Sequence, residues 1–329
     1  MTENLSQCML RMVETDYKLA DYQSDIQPRW CVGCGDTAIL TAMQKLMRDE
    51  QLAPEKTVAV SGIGCSSRLP HYLNAYGFHG IHGRALPVAE GIKIRRPDLN
   101  VFVTTGDGDC TSIGAAHWIH AIRYNMNMTV LLHDNQIYGL TKKQASPTSP
   151  IGQKSNTTPF GSVLLPLNPL TVTLGVANVS FVAQAVDWIP DLLYDILKKA
   201  YHHRGLSFVR ILQRCPEFME HRFDAYVRDP SKMRILTHGD GLRLNPELSR
   251  VYKNQETHDP LNMGRALEIA AIADEIPVGI LYNDPSVPCY DDLRAGERPS
   301  TPALVETVLS EEFDKVTIWP DGAEPVAAE

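Results

Sequence analysis

The 329-residue sequence predicts an α/β fold: a parallel sheet with helices on both faces. Three patterns carry that prediction. Short runs that are apolar throughout and rich in β-branched residues stand at 57–61, 101–105, 128–133, 179–183 and 206–212, and strands without polar alternation are buried on both faces. Stretches with helical spacing of apolar residues lie between them, at 84–96, 111–124 and 188–202. Glycine-rich turns follow the first two runs, at Gly62-Ile63-Gly64 and Gly106-Asp107-Gly108. In parallel sheets ligands bind beyond the carboxyl ends of the strands, where these turns lie.

Along the chain, residues 1–21 mix acids, amides and bases without an apolar core, so no secretory signal is expected in them. A loop carrying Cys31-Val32-Gly33-Cys34 precedes a helix at 37–47. The helix at 84–96 ends in Lys93-Ile94-Arg95-Arg96, cations that offset the dipole at a helix C-terminus. Beyond the last strand, the mixed, polar stretch 224–260 predicts a segment that wraps the sheet domain, with a helix at 261–274 and a short strand at 277–282. The acidic end 321–329 reads as a flexible tail. The expected division is an N-terminal segment 1–29, a sheet domain 30–223 and a C-terminal extension 224–329. At 43% hydrophobic the chain holds enough apolar material for one large core, and a net charge of -8 argues against nucleic acid as partner. No apolar run is long enough to span a bilayer, so neither membrane insertion nor secretion is expected. The seven cysteines are then expected to be thiols of a reducing, cytoplasmic protein.

The most specific motif is Gly106-Asp107-Gly108-Asp109, between a strand and a helix, with Asn135 at the end of the next strand. A diphosphate needs backbone N–H groups at close range and a helix N-terminus aimed at its charge. Magnesium needs an octahedral shell of oxygens. Asp107 offers a carboxylate, Asn135 an amide oxygen and Ile137 a main-chain carbonyl, which is the layout of a thiamine diphosphate and Mg2+ site. Cysteine supplies a second motif. Cys65 follows the first strand and Cys215 the last, so both reach the sheet edge that carries Asp107 and Asn135, and the Cys31/Cys34 loop can complete a four-thiolate set. Such a set beside a carbanion-forming cofactor suits an electron-accepting cubane cluster. A four-cysteine zinc knot and unrelated buried thiols are the alternatives. Cys110 is the rival fourth ligand, but it opens the helix after the glycine motif and should point inward; Cys8 and Cys289 read as ordinary thiols.

With Trp30-Cys31-Val32-Gly33-Cys34-Gly35-Asp36, Gly62-Ile63-Gly64-Cys65-Ser66-Ser67-Arg68, His79-Gly80-Ile81-His82-Gly83-Arg84-Ala85, the Gly106 motif, Asn135-Gln136-Ile137-Tyr138-Gly139-Leu140-Thr141 and Gln144-Ala145-Ser146-Pro147-Thr148, the chain resembles the β subunit of 2-oxoacid:ferredoxin oxidoreductases from about Trp30 to Glu217. The resemblance implies a thiamine diphosphate-binding sheet domain. It implies that Cys31, Cys34, Cys65 and Cys215 hold one [4Fe-4S] cluster and that Asp107, Asn135 and Ile137 hold Mg2+. Ile63, Gly64, Cys65, Ser66, His82, Gly106, Gly108, Asp109, Gly139, Leu140 and Thr141 would line the thiamine diphosphate. Without the resemblance His82 reads equally well as a core histidine. The implied activity is oxidative decarboxylation of a 2-oxoacid with coenzyme A to acyl-CoA, carbon dioxide and reduced ferredoxin, with carbon dioxide fixation in reverse. Thiamine enzymes also need a glutamate against the aminopyrimidine, usually in a separate domain, and no internal repeat supplies a second domain here. The implied partner is an α subunit that brings it, in an α2β2 assembly.

Arg68, three residues beyond Cys65, offers a guanidinium for a distal substrate carboxylate, which points to 2-oxoglutarate over pyruvate or another 2-oxoacid. A surface or interface ion pair is the alternative role for Arg68. Lys142-Lys143 departs from the Lys-Gly or Gly-Gly of many relatives. Two rival functions are a cluster-free thiamine-dependent decarboxylase or carboligase, which leaves the cysteine set without a role, and a zinc-stabilised non-catalytic assembly subunit.

Overall fold

The computed structural model describes residues 16–239, 242–296 and 307–310. Cys8 and the tail 321–329 lie outside the described residues. The chain divides into two compact units, Met1–Asp291, which holds the sheet, and Asp292–Glu329, which among the described residues comprises the end of a helix and a helical turn at 307–310.

The strands are β1 (Thr57–Ser61), β2 (Tyr76–His79), β3 (Asn100–Gly106), β4 (Met128–Asp134), β5 (Phe181–Val186), β6 (Leu206–Leu212), β7 (Met233–Thr237), β8 (Gln255–Thr257) and β9 (Ile276–Asn283). They form one sheet in the order β2-β1-β3-β4-β6-β5-β9-β7-β8. The helices are α1 (Asp36–Asp49), α2 (Ala85–Arg95), α3 (Ala115–Tyr124), α4 (Pro169–Leu174), α5 (Pro190–His202), α6 (Asp224–Arg228), α7 (Pro246–Val251), α8 (Met263–Ala270) and α9 (Tyr290–Gly296). The first six strands are parallel to one another, and β9 meets β5 antiparallel.

Both faces of the sheet are covered, which is why its central strands are apolar throughout. On one face α1 and α5 pack over Ala59, Phe102, Leu131, Ala183 and Val209; on the other α2, α3, α4 and α8 pack over Val58, Val60, Val103, Val130 and Phe208. Neighbouring residues such as Val58 and Ala59 face opposite layers, as the two-residue period of a strand requires.

Several elements differ from the sequence expectation for physical reasons. β2 carries no aliphatic run and all four of its residues are exposed, so an apolar pattern could not announce this edge strand. β5 starts at Phe181 rather than residue 179, because Asn178 is left-handed (φ 65°) and the chain turns there. The strand then runs on through the polar Gln184, whose Nε2 donates to the Pro277 carbonyl of β9 at 2.6 Å. The helix expected from Thr111 begins earlier, as a widened π turn at Asp109–Ile113, and becomes regular only at Ala115. The C-terminal segment adds strands to the sheet: β9 pairs with β5, and β7 and β8 follow it. These strands are stitched by Arg234, which contacts Glu256 and Glu275 at 2.6 Å each.

Candidate active site

Register places the functional turns together. Ser61 of β1 is level with Thr104 of β3, Gly106 of β3 with His133 of β4, and Asp134 of β4 with Leu212 of β6. The loops that leave these adjacent parallel strands therefore open at one edge. They enclose a pocket of about 450 Å³. Every residue expected to line the cofactor or to bind magnesium lines this pocket, and His133, Tyr138 and Gln213 join them.

Asp109 organises the pocket. Its carboxylate is buried, accepts the Ile63 and Gly83 N–H groups at 3.3 and 2.7 Å and the Thr105 hydroxyl at 2.7 Å, and stands 2.6 Å from His82 Nδ1. One side chain thus ties two loops to the end of β3. Leaving those donors unpaired would cost about 1–3 kcal/mol each. A Cβ on Gly62 would lie 1.9 Å from Asp109 Oδ2, so the first loop tolerates only glycine there. Gly108 is fixed in the same way by Tyr138, whose ring would be 2.3 Å from an added Cβ and whose hydroxyl donates to the Gly108 carbonyl at 3.0 Å. His82 is partly exposed at the pocket and is not a core histidine.

Asp107 is buried and receives the Ser146 and Thr148 hydroxyls at 2.5 and 2.6 Å on a single carboxylate oxygen, Oδ2. Burial, reinforced by the nearby Asp134, pushes it up to about 7. A divalent cation reverses that penalty, so a buried carboxylate beside an amide oxygen fits the magnesium expectation. Asn135 Oδ1 accepts the Ile137 N–H at 3.1 Å, which holds the loop in shape. Buried polar atoms without protein partners, Ser66 Oγ and His133 Nε2, belong to residues that line the same pocket, as expected of a site for a polar, anionic cofactor.

A second cavity of about 680 Å³ adjoins the first and is lined by all four expected cluster ligands, Cys31, Cys34, Cys65 and Cys215. Cys65, Asn135, Gly139, Leu140 and Gln213 line both cavities. Left-handed Gly33 (φ 82°) and the bond from the Cys34 N–H to the Cys31 carbonyl (3.0 Å) make the Cys31–Cys34 turn. Asp187, at the end of β5, accepts from the Arg214 backbone and guanidinium at 3.1 and 2.9 Å, fixing the loop that bears Cys215. A Cβ on Gly35 would lie 2.6 Å from that carboxyl, so the two cysteine loops pack closely. Burial pushes the Cys65 thiol up to about 12 and raises those of Cys34 and Cys215, with Asp36 adding to the effect at Cys34 and Cys65. Thiolates at these positions need a cationic centre, which is the donor chemistry of a metal or cluster site. Among the described residues, no group of three or more His, Cys, Asp or Glu closes around a single ion. Cys110 is buried in the core beneath α3, apart from the four.

Arg68 lines the cysteine cavity with Arg29 and Lys142. Lys142 and Lys143 are both left-handed (φ 72° and 73°), the conformation that glycine adopts without strain. Residue spacing alone does not reach the roles of Ser146, Thr148, His133, Tyr138 and Gln213. The first two stand in the Gln144–Thr148 stretch, which carries part of the family resemblance without naming a role for either hydroxyl.

Comparison with known proteins agrees with this geometry. Residues 62–211 match the model of the thiamine pyrophosphate enzyme C-terminal TPP-binding domain, and residues 248–297 match that of the C-terminal part of the pyruvate ferredoxin oxidoreductase β subunit. The likeness thus extends past Glu217 into the C-terminal segment. The chain is 43% identical to a 2-oxoglutarate oxidoreductase subunit of Mycobacterium tuberculosis over 82% of this chain and 71% of that one. It is 37% identical to the β subunit of a 2-oxoacid:ferredoxin oxidoreductase of Aeropyrum pernix, over 86% of each. A solved 2-oxoglutarate:ferredoxin oxidoreductase from Magnetococcus marinus, with 2-oxoglutarate, coenzyme A and succinyl-CoA bound, superposes with a TM-score of 0.76 at 36% identity, over 90% of this chain and 96% of that one. With glycines forced by Asp109 and Tyr138 and four cysteines lining the adjoining cavity, the chain belongs to the β subunits of the 2-oxoacid:ferredoxin oxidoreductases.

Proposed function

We propose that this chain is the thiamine- and cluster-bearing half of an enzyme that oxidises 2-oxoglutarate with coenzyme A to succinyl-CoA and carbon dioxide and passes the electrons singly to ferredoxin. The observation that carries the reading is the shared wall between the two cavities, with Cys65 in both. Bound thiamine diphosphate supplies the carbon that attacks a 2-oxoacid, and a [4Fe-4S] cluster accepts electrons one at a time. Asp107, Asn135 and the Ile137 carbonyl would hold Mg2+, and Gly64, Gly106, Gly108 and Gly139 let the backbone approach the diphosphate. Cys31, Cys34, Cys65 and Cys215 would hold the cluster. Cys31 and Val32 are exposed, which offers ferredoxin a short approach.

Arg68 would pair with the distal carboxylate of 2-oxoglutarate, supported by its place in the cysteine cavity, with no carboxylate paired to it among the described residues. The glutamate that activates thiamine would come from an α subunit, so the chain alone should be inactive. In the assembled enzyme, Arg68→Ala should lower the ratio of kcat/KM for 2-oxoglutarate to that for pyruvate by about thirty- to a thousand-fold, the loss of ~2–4 kcal/mol of transition-state binding. An unchanged ratio, or a wild-type enzyme that prefers pyruvate, would assign substrate choice to the α subunit.

A further inference from the structure

A third cavity, of about 830 Å³, is lined by none of the residues assigned to the cofactor, Mg2+ or the cluster, though Thr148, which donates to Asp107, forms part of its wall. Leu167, Leu170, Phe223 and Ile272 form apolar walls, and Arg210 and Arg222 make a polar end. Most of its charges are already matched. Arg210 is paired with Asp134 at 2.5 Å and donates to Gln184 at 3.1 Å, and Glu275 at the rim is paired with Arg234. Arg222 is the exception. It gives its Nε–H to Gln136 Oε1 and stands 5.8 Å from the Phe223 ring, but among the described residues no carboxylate pairs with it. Burial opposes its charge. A half-buried guanidinium with its terminal N–H groups unmatched is a receptor for an anion.

Gln136 connects this cavity to the active site. It stands between Asn135 and Ile137, its backbone is left-handed (φ 64°), and its carbonyl accepts the Ser149 hydroxyl at 2.6 Å. Asn135 and Ile137 line the thiamine pocket while Gln136 lines the third cavity, so one tripeptide forms part of both walls.

We propose that the third cavity binds a small organic carboxylate, its carboxylate on Arg222 and its apolar body against Leu167, Leu170 and Phe223, and that occupancy changes Mg2+ affinity through the Arg222–Gln136 bond. The volume suits a small ligand. A carboxylate that takes Arg222 side-on, through Nε–H and one terminal N–H, competes with Gln136 Oε1, and releasing Gln136 alters the loop that presents Asn135 and Ile137. By linkage, Mg2+ then alters carboxylate affinity by the same factor. The coupling rests on Asn135 and Ile137 as magnesium ligands; the binding site does not.

The test uses the chain assembled with its α subunit and titrated calorimetrically with hexanoate, with hexanol as the uncharged control and inorganic phosphate as the control for charge without an apolar body. Hexanoate should bind about ten-fold or more tightly than either control, and Arg222→Gln should weaken it about ten-fold or more. Ala273→Phe, at an exposed wall position, should block it in a folded protein. Equal binding to wild type and Arg222→Gln, hexanol or phosphate binding as well as hexanoate, or binding to the isolated chain but not to the assembly would overturn the site. A Mg2+ titration followed by thiamine diphosphate retention should shift with hexanoate in wild type and not in Arg222→Gln. If hexanoate binds and that titration stays still, the coupling falls and the site stands.

Discussion

At the residue scale, Asp109 and Tyr138 fix the pocket by reaching across loops, whereas the groups defined by residue type and spacing stand in order along the chain. Glycines that admit a backbone, a carboxylate followed by an amide oxygen, and two cysteines at strand ends with a Cys-x-x-Cys loop can all be read in order. Contacts that arise only when loops meet cannot. Nothing in the sequence says that the Tyr138 ring packs against Gly108, or that the Asp109 carboxylate is occupied by Ile63, Gly83 and Thr105. His203 is a second buried group of this kind, its Nε2 2.8 Å from Ser180 Oγ. Burial holds its imidazole down at about 4, against 6.5 for a free histidine. Between those values the unfolded chain takes up a proton that the fold refuses. The stability His203 contributes is complete above about pH 6.5 and is lost as pH falls toward 4, by up to ~3 kcal/mol. Urea unfolding at about pH 7 and about pH 4.5 should show a smaller loss on acidification for His203→Gln than for wild type. Identical losses would mean that the imidazole is protonated in the fold.

At the element scale, the doubly covered strands were the most readable part, because an unbroken apolar run between helical patterns fits little besides a strand buried on both faces. β1 and β6 begin and end where their patterns do. Edge and junction elements were hidden for the opposite reason. β2 is exposed, and β5 contains a buried glutamine that serves the β5–β9 junction. That junction makes a prediction about the extension. Phe181, Val182, Ala183, Ala185 and Val186 are at most 1% exposed with β9 in place. A chain ended at residue 223 uncovers the β5 edge and should aggregate or lose its cooperative thermal transition. A soluble, cooperatively melting 1–223 fragment would show that the extension is an appendage rather than part of the sheet.

At the scale of the whole molecule, the chain bears the marks of a component. Phe160, Val163, Leu164 and Leu165 are 98%, 86%, 75% and 81% exposed, a run of apolar side chains downstream of the Asn135 loop. Isolated apolar residues are ordinary on a surface, but four this close together read as an interface. Phe160→Ser with Leu165→Ser should weaken capture of the α subunit about ten-fold or more while leaving the melting temperature of the chain alone unchanged. Full retention of the complex would place the interface elsewhere. The central claim, that this chain joins a thiamine site to a four-cysteine cluster, is tested most directly in the anaerobically co-purified complex, by metal analysis and by visible absorbance before and after 2-oxoglutarate and coenzyme A are added together. One [4Fe-4S] cluster per chain, with an absorbance that the pair of substrates bleaches and oxidised ferredoxin restores, is the predicted result. Zinc in place of iron, or an iron–sulfur absorbance that the substrates leave unchanged, would contradict it.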